Sequence, residues 1–364
     1  MEPIRGEEAA AALTAFVGGT TYLHLETTAG AYTEGGFGAF IRNAELRLRG
    51  AGLRATGGRW RAGMETETGW VYAEGLTHWE QGPEDQLLLA GYDDQGRVTV
   101  VCELGRRPFA SLREPVAIQP HARTDGSDTS GLGVHAPSAE RAILVVLAHP
   151  DDETFACGGT IALYTHAGVP VTCACATRGE MGRQMGNPPF ATRESLRELR
   201  VDELTRACAE LGVRDLRLLG CWDKTTEFMD PAVLADRIFA ILAEVDPSLV
   251  ITHHPEHGGH PDHCAVGTAT LIALRRLPSD ARPRVHVLVP PRIADPLGIR
   301  LETVEVAPVL EAKMAALRAH RSQSEAMLKR LAADDQEKRR RQFATERYLR
   351  YPLAGEQTVS TDAE

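Results

Sequence analysis

Ile143-Leu144-Val145-Val146-Leu147 is an unbroken apolar run that stops sharply at polar residues on its carboxyl side. It is rich in β-branched side chains and far too short to cross a bilayer. It therefore predicts a strand, Ile143 to Ala148, buried on both faces of a sheet. Runs of the same kind recur at Val171 to Thr177, Leu216 to Leu219, Leu249 to Thr252 and Val285 to Val289. Between them apolar positions return at helical spacing, over Thr160 to Ala167, Arg193 to Leu211, Pro231 to Val245 and Cys264 to Leu274. Asp230-Pro231 supplies an N-cap and a first-turn proline. A further amphipathic pattern predicts one long helix from Pro308 to Ala332. Strand–helix alternation of this sort predicts an α/β domain over residues 141–355: a Rossmann-like, mostly parallel sheet with helices on both faces.

Ahead of residue 112 the pattern changes. Glu7 to Val17 fits a short amphipathic helix, and short β-like runs follow at Thr21 to Glu26, Ala39 to Leu48, Gly69 to Ala73, Leu87 to Tyr92 and Val98 to Leu104. Gly-rich or acidic turns such as Asp93-Asp94-Gln95-Gly96 separate them, which predicts a small α+β or antiparallel β domain over residues 1–112. His24, Glu26, His78 and Trp79 lack the spacing of a metal motif and read as structural. Residues 113–140 carry Pro, Gly, Ser and Thr without periodicity and are expected to be a flexible linker. The polar stretch 356–364 is expected to be a disordered tail.

Hydrophobic residues make up 43% of the 364 and charged residues 25%, ordinary for a globular protein. The net charge of −10 argues against a nucleic-acid or anionic-membrane binder, and the basic run Lys338-Arg339-Arg340-Arg341 reads as a solvated helix face or an intersubunit salt-bridge surface rather than a phosphate site. No apolar run is long enough to span a membrane, and the first residues show no signal-peptide pattern. A cytoplasmic setting is expected. The seven cysteines form no C-x-x-C pair and mostly lie in apolar segments, as reduced buried thiols would.

The chemistry concentrates in two loops. Ala148-His149-Pro150-Asp151-Asp152-Glu153 leaves the carboxyl end of the first buried strand, which is where open α/β sheets bind ligands. His253-His254-Pro255-Glu256-His257-Gly258-Gly259-His260-Pro261-Asp262-His263 leaves another. So many polar groups at strand ends cost stability unless a cation compensates them. His-x-x-Asp from one loop and a histidine from the other would give a metal three ligands and leave a fourth position for water, as in a catalytic zinc site. The residue types alone do not choose between Asp151 and Asp152, or between His260 and His263. No G-x-G-x-x-G follows the first strand, so Gly158-Gly159 is weak evidence for a dinucleotide.

These two stretches, AHPDDE (148–153) and HPDH (260–263), resemble the paired signatures of the PIG-L/LmbE-like zinc deacetylases. The resemblance extends through Thr177-Arg178-Gly179-Glu180-Met181-Gly182, Leu199 to Leu204 and Ala319-His320-Arg321-Ser322-Gln323. The wording from Thr177 to Pro189 is most similar to the bacillithiol-pathway deacetylases, which act on N-acetylglucosaminyl malate. The resemblance implies Zn2+ held by His149, Asp152 and His263, with Asp151 as general base. It makes His260 the group that stabilises the oxyanion or protonates the amine, and Asp262 its orienter. Arg200 aligns with a substrate arginine and suits the two malyl carboxylates. Arg178, Glu180, Arg183 and Met185 are candidate substrate contacts. In the N-terminal region, Leu23 to Tyr32, Phe40 to Leu46 and Gly69 to Glu80 resemble a small YojF-like bacterial family.

The resemblance implies a small-molecule enzyme that deacetylates an N-acetylglucosaminide, without nucleic-acid or membrane partners, in a homo-oligomer (trimer or hexamer). An amidase of thiol-glucosaminide S-conjugates uses the same chemistry. A metal- or ligand-sensing fusion is the alternative outside catalysis. Both clusters lie beyond the linker, so the N-terminal module is expected to stand outside the chemical machinery. A chain starting near Ala139 is then expected to bind zinc and retain activity.

Overall fold

The computed structural model describes residues 1–28, 38–109, 140–186, 188–332 and 343–353. The expected linker (except Glu140), the basic run and the expected tail lie outside the described residues. The chain forms two compact units, one drawn from Met1–Leu112 and Met181–Leu196, the other from Arg113–Glu180 and Arg197–Glu364.

The first unit is built on an antiparallel sheet. In chain order its elements are β1 (Glu2–Pro3), α1 (Gly6–Thr14), β2 (Thr20–Thr28), β3 (Gly38–Thr56), β4 (Arg59–Thr66), β5 (Trp70–Leu76), β6 (His78–Gly82), β7 (Gln86–Tyr92) and β8 (Val98–Gly105). The strand order is β1-β6-β7-β8-β2-β3-β4-β5. Leu13 of α1 joins Leu23, Leu48, Met64, Leu76, Leu89 and Leu104 in its core. Strands β4 and β6 are not visible in the sequence pattern because Arg59–Thr66 and His78–Gly82 carry few large apolar residues in alternation. Gly91 of β7 is required by a close approach: a Cβ there would collide with the carbonyl oxygen of Gly75 in β5.

The second unit contains β9 (Ile143–Leu147), α2 (Asp152–His166), β10 (Val171–Cys175), most of α3 (Arg193–Glu210), β11 (Asp215–Leu218), α4 (Pro231–Val245), β12 (Leu249–His253), α5 (Pro261–Arg275), β13 (Arg284–Leu288), α6 (Pro291–Leu297), β14 (Glu302–Glu305), α7 (Leu310–Ala319), α8 (Arg321–Ala332) and β15 (Thr345–Arg350). The sheet order is β11-β10-β9-β12-β13-β15-β14. The first five strands are parallel, whereas β15 runs antiparallel to both β13 and β14. Every side chain of β9 is at most 1% exposed. Ile143, Val145 and Leu147 share one core with residues of α2, α3 and α7, while Leu144 and Val146 share another with α4 and α5. Each such apolar side chain contributes about 1.5–3 kcal/mol, which explains why this strand has no polar face. Strands β14 and β15 fall outside the sequence expectation because Glu302–Glu305 and Thr345–Arg350 are mostly polar.

The expected helix from Pro308 to Ala332 is two helices. The chain bends at His320 (φ −77°, ψ 50°), whose carbonyl accepts the N–H groups of Gln323 and Ser324 and opens α8. Helix α2 starts eight residues earlier than its pattern suggests, at Asp152 rather than Thr160, and it breaks at Cys157 (φ −144°, ψ 15°). Past the break the N–H groups of Gly159 and Thr160 donate to the carboxylate of Glu346 on β15, at 2.7 and 2.8 Å. Lys313 of α7 donates to that carboxylate at 2.6 Å, and the two side chains are 2% and 1% exposed. Tyr348 completes the group with hydrogen bonds to Glu346 and Thr160. Lys313→Met should leave a buried carboxylate without its cation and destabilise this unit by about 3–5 kcal/mol. Denaturant unfolding checks this, and an unchanged midpoint would show that the network contributes nothing net.

Candidate active site

Strands β9 and β12 are neighbours in register, Val146 beside Thr252, and the winding of the sheet reverses between them. The loops leaving their carboxyl ends therefore emerge side by side, in the crevice where such sheets bind ligands. The first is a tight turn. Asp151 adopts φ 118°, ψ −28°, costly for a residue with a Cβ. Neighbouring carboxylates hold the turn: the His149 N–H donates to Asp152 Oδ2 at 2.9 Å, and the Asp151 N–H to Glu153 Oε2 at 3.0 Å. Glu153 is itself buried and pairs with His320 Nε2 at 2.6 Å. The bend between α7 and α8 thus delivers the histidine that fixes the turn.

His149, Asp152 and His263 converge, with one donor atom from each lying within 4.8 Å of the others. Asp152 Oδ2 is 3.5 Å from His149 Nδ1 and 3.3 Å from His263 Nε2, and the two ring nitrogens are 3.2 Å apart. The outer partners decide where the ring protons sit. His263 Nδ1 faces the Gly258 carbonyl at 3.0 Å and must carry the proton, leaving the lone pair at Nε2. His149 Nε2 faces Asp223 and Asp262, each at 3.3 Å, which places the proton of the neutral ring there and the lone pair at Nδ1. Two lone pairs and a carboxylate thus point at one spot, an arrangement that calls for a cation. Although burial works against it, Asp223, Asp152 and Asp262 hold the His149 pKa well above its ordinary value. The cluster attracts positive charge, and a divalent metal with imidazole and carboxylate ligands fits it.

Asp151 stands apart from this donor set. Its Oδ2 pairs with Arg200 Nη2 at 2.9 Å. Burial pushes its carboxyl up to about 6, against the pull of Arg200. The guanidinium of Arg200 is buried and also donates to the carbonyls of Gly179 and Pro150. A Cβ on Gly179 would collide with the Arg200 guanidinium, and the residue has φ +67°, so glycine is needed there twice over. The strained turn, the candidate base and the loop after β10 are therefore tied together by one arginine.

The other expected site residues divide. His260 lies against His149 with ring centroids 4.9 Å apart. Its Nδ1 accepts the Asp262 N–H at 3.1 Å, which leaves the proton at Nε2. Burial, then His149 and His263, lower its pKa to about 4. The Asp262 carboxylate accepts the N–H groups of Lys224 and Thr226 at 2.7 and 3.0 Å and faces His149. What Asp262 gives His260 is its backbone N–H. Glu180 is buried, accepts the Asp223 N–H at 3.4 Å, and is pushed by burial and Asp223 to about 7. Arg178 is turned onto Glu198 at 3.1 Å. Arg183 and Met185 belong to the first unit, where Arg183 donates to the Val98 carbonyl at 3.2 Å.

Two residues of the cluster are not among the expected site residues, although His253 opens the histidine-rich loop. Asp223 lies in Cys221-Trp222-Asp223-Lys224, after a short strand, and no other ligand-type motif marks it. His253 ends β12, stacks on His263 with centroids 3.8 Å apart, and accepts the Ala148 N–H at Nε2. Its position at the last residue of a buried strand is the available signal. All seven cysteines are free thiols, and only Cys264 is less than fully buried. Among the described residues no helix is long and apolar enough to cross a membrane.

Residues 144–274 match the family model described as GlcNAc-PI de-N-acetylase (PIG-L), and residues 3–109 one described as a protein of unknown function (DUF1806). The chain is 50% identical over 190 residues to the probable N-acetyl-alpha-D-glucosaminyl L-malate deacetylase 2 of Bacillus cereus, covering 52% of this chain and 86% of that relative. It is 35% identical over 115 residues to the uncharacterized protein YojF of Bacillus subtilis, covering 30% of this chain and 98% of the relative. Among solved structures it is similar to N,N'-diacetylchitobiose deacetylase from Pyrococcus horikoshii, at 24% identity and TM-score 0.46, covering 61% of this chain and 88% of that one.

Proposed function

Because the chain belongs to the PIG-L family of de-N-acetylases, with a YojF-like region ahead of the deacetylase region, we propose that it hydrolyses the acetamide of N-acetylglucosaminyl malate to glucosaminyl malate and acetate, in bacillithiol biosynthesis. The observation that carries the reading is the meeting of His149, Asp152 and His263, with Asp151 held beside them by Arg200. On this reading the deacetylase region is a Rossmann-like domain, and the protein works in the cytoplasm as a homo-oligomer on a small sugar substrate.

We assign Zn2+ to His149, Asp152 and His263. When bound it polarises the acetyl carbonyl and acidifies a water. The chain's own groups do the rest. Asp151 takes the proton of the attacking water, and its carboxyl pKa of about 6 lets it accept that proton and give it up again near neutrality. Arg200 keeps that carboxylate aimed. His260, neutral with its proton at Nε2, donates to the oxygen that gains charge or to the nitrogen that leaves. Asp262 and Asp223 orient His149, and His253 backs His263.

The test is release of free amine and acetate by the zinc-loaded full chain, with N-acetylglucosaminyl malate beside a thiol-glucosaminide S-conjugate. Preference for the conjugate would make the protein an amidase of the same chemistry. A zinc-loaded chain inert toward every N-acetylglucosaminide would favour the sensing alternative. Arg200→Ala should cost N-acetylglucosaminyl malate and plain N-acetylglucosamine alike, because Asp151 is what the guanidinium holds. A loss larger by about 1.5–3 kcal/mol on the malate compound would assign Arg200 to the malyl carboxylates instead.

A further inference from the structure

Residues 181–196 belong in sequence to the deacetylase region, between β10 and the body of α3, yet they pack with the N-terminal module as part of one compact unit. The contact is specific. Arg193, the first residue of α3, pairs with Glu26 of β2 at 3.0 Å, and the two side chains are 2% and 1% exposed. Arg42 of β3 grips Glu194 with both terminal nitrogens, at 3.0 and 3.3 Å, and also reaches His24 Nδ1 at 3.3 Å. Upstream, the Val98 N–H donates to the Arg183 carbonyl at 2.8 Å, and Arg97 bridges Gln184 in antiparallel fashion. The module's buried acids and the deacetylase sequence's arginine are two halves of one ion cluster. Removing either half of such a buried pair leaves the other charge uncompensated, which is strongly destabilising.

Helix α3 makes the contact consequential. Arg193 and Glu194 form its first turn, and Arg200, which holds Asp151, lies seven residues further along the same helix, about 10 Å by the α-helical rise. We propose that the YojF-like module is a positioning device for the deacetylation: Glu26 and Arg42 anchor the start of α3 and thereby fix where Arg200 holds Asp151. Glu26 and Arg42 are positioning residues. The inference rests on the deacetylase reading above. It also revises what a chain starting near Ala139 would lose, since that chain keeps Arg193 and Glu194 but has neither Glu26 nor Arg42.

The experiment is a double-mutant cycle in the zinc-loaded full chain, with N-acetylglucosaminyl malate as substrate. Glu26→Gln should lower turnover roughly tenfold to a hundredfold, the scale of a misplacement transmitted from a distance, with zinc content unchanged. In the Arg200→Ala background it should add little, because the effect passes through Arg200. Amide exchange over residues 181–200 should quicken in Glu26→Gln whether or not the substrate is the right one. Should Glu26→Gln fail to fold, Glu26→Asp keeps the charge but withdraws the carboxylate, and the same cycle applies. Additive losses, or unchanged turnover together with unchanged exchange, overturn the proposal. A wild-type chain that releases no acetate, while exchange still responds to Glu26→Gln, overturns the deacetylase reading and leaves the anchor standing.

Discussion

Asp151→Asn should retain its zinc and lose roughly 10²–10⁴ in turnover, the usual contribution of a positioned general base. Asp151 and Asp152 are adjacent acids in one turn, but the backbone separates them. Asp151 sits at φ 118° and sends its carboxylate to Arg200, whereas the Asp152 carboxylate faces His149 and His263. Asparagine keeps the shape and can still accept from Arg200, so the turn should survive; it cannot take a proton from water. Metal analysis and turnover on the same sample decide the matter, and added zinc should not restore the rate. A metal-free Asp151→Asn protein would reverse the roles of the two aspartates.

Much of this site is legible in the sequence because its residues sit at the ends of buried strands. The apolar run of β9 by itself places AHPDDE at the carboxyl end of a sheet, and β12 does the same for the histidine loop. What the residue types do not supply is direction. Whether Asp151 or Asp152 turns toward the histidines depends on one unusual backbone conformation, which the residue types do not encode visibly. Arg200 shows the same limit, because a helix-borne arginine looks alike whether it reaches a substrate or, as here, a carboxylate one loop away. Asp223 is invisible in the sequence because its value lies in a contact with His149, 74 positions back, made when two loops close on each other. In the fold, the strands that escape notice are those whose side chains are largely polar, β14 and β15 above all: β14 has no buried residue, and β15 buries the charged Glu346 beside Tyr348, so neither shows an apolar face. The annexation of residues 181–196 by the N-terminal module is a matter of tertiary partnering. The one hint is Glu26, a buried acid on a strand without lysine or arginine of its own.

Asp152→Ala should lose zinc outright at ordinary concentrations and lose its activity with it. The carboxylate is the one anionic member of the donor set, and its Oδ2 also accepts the His149 N–H that shapes the turn. Removing it leaves two imidazole lone pairs 3.2 Å apart with nothing between them to attract a dication. Replacing an outer partner costs about 10–100-fold in metal affinity, and removal of a direct ligand should exceed that. Asp262→Asn offers the internal comparison: it touches His149 from the far side and should fall within that outer range. Excess zinc should then recover part of the turnover of Asp152→Ala, because Asp151 and Arg200 remain in place to do their work. Zinc titrations of the two variants beside the wild type measure this directly. Equal affinity for zinc in Asp152→Ala and wild type would remove Asp152 from the ligand set. Equal loss of metal in Asp151→Asn and Asp152→Ala would make the two carboxylates share the ion, and the proton of the water would then have to go to another group.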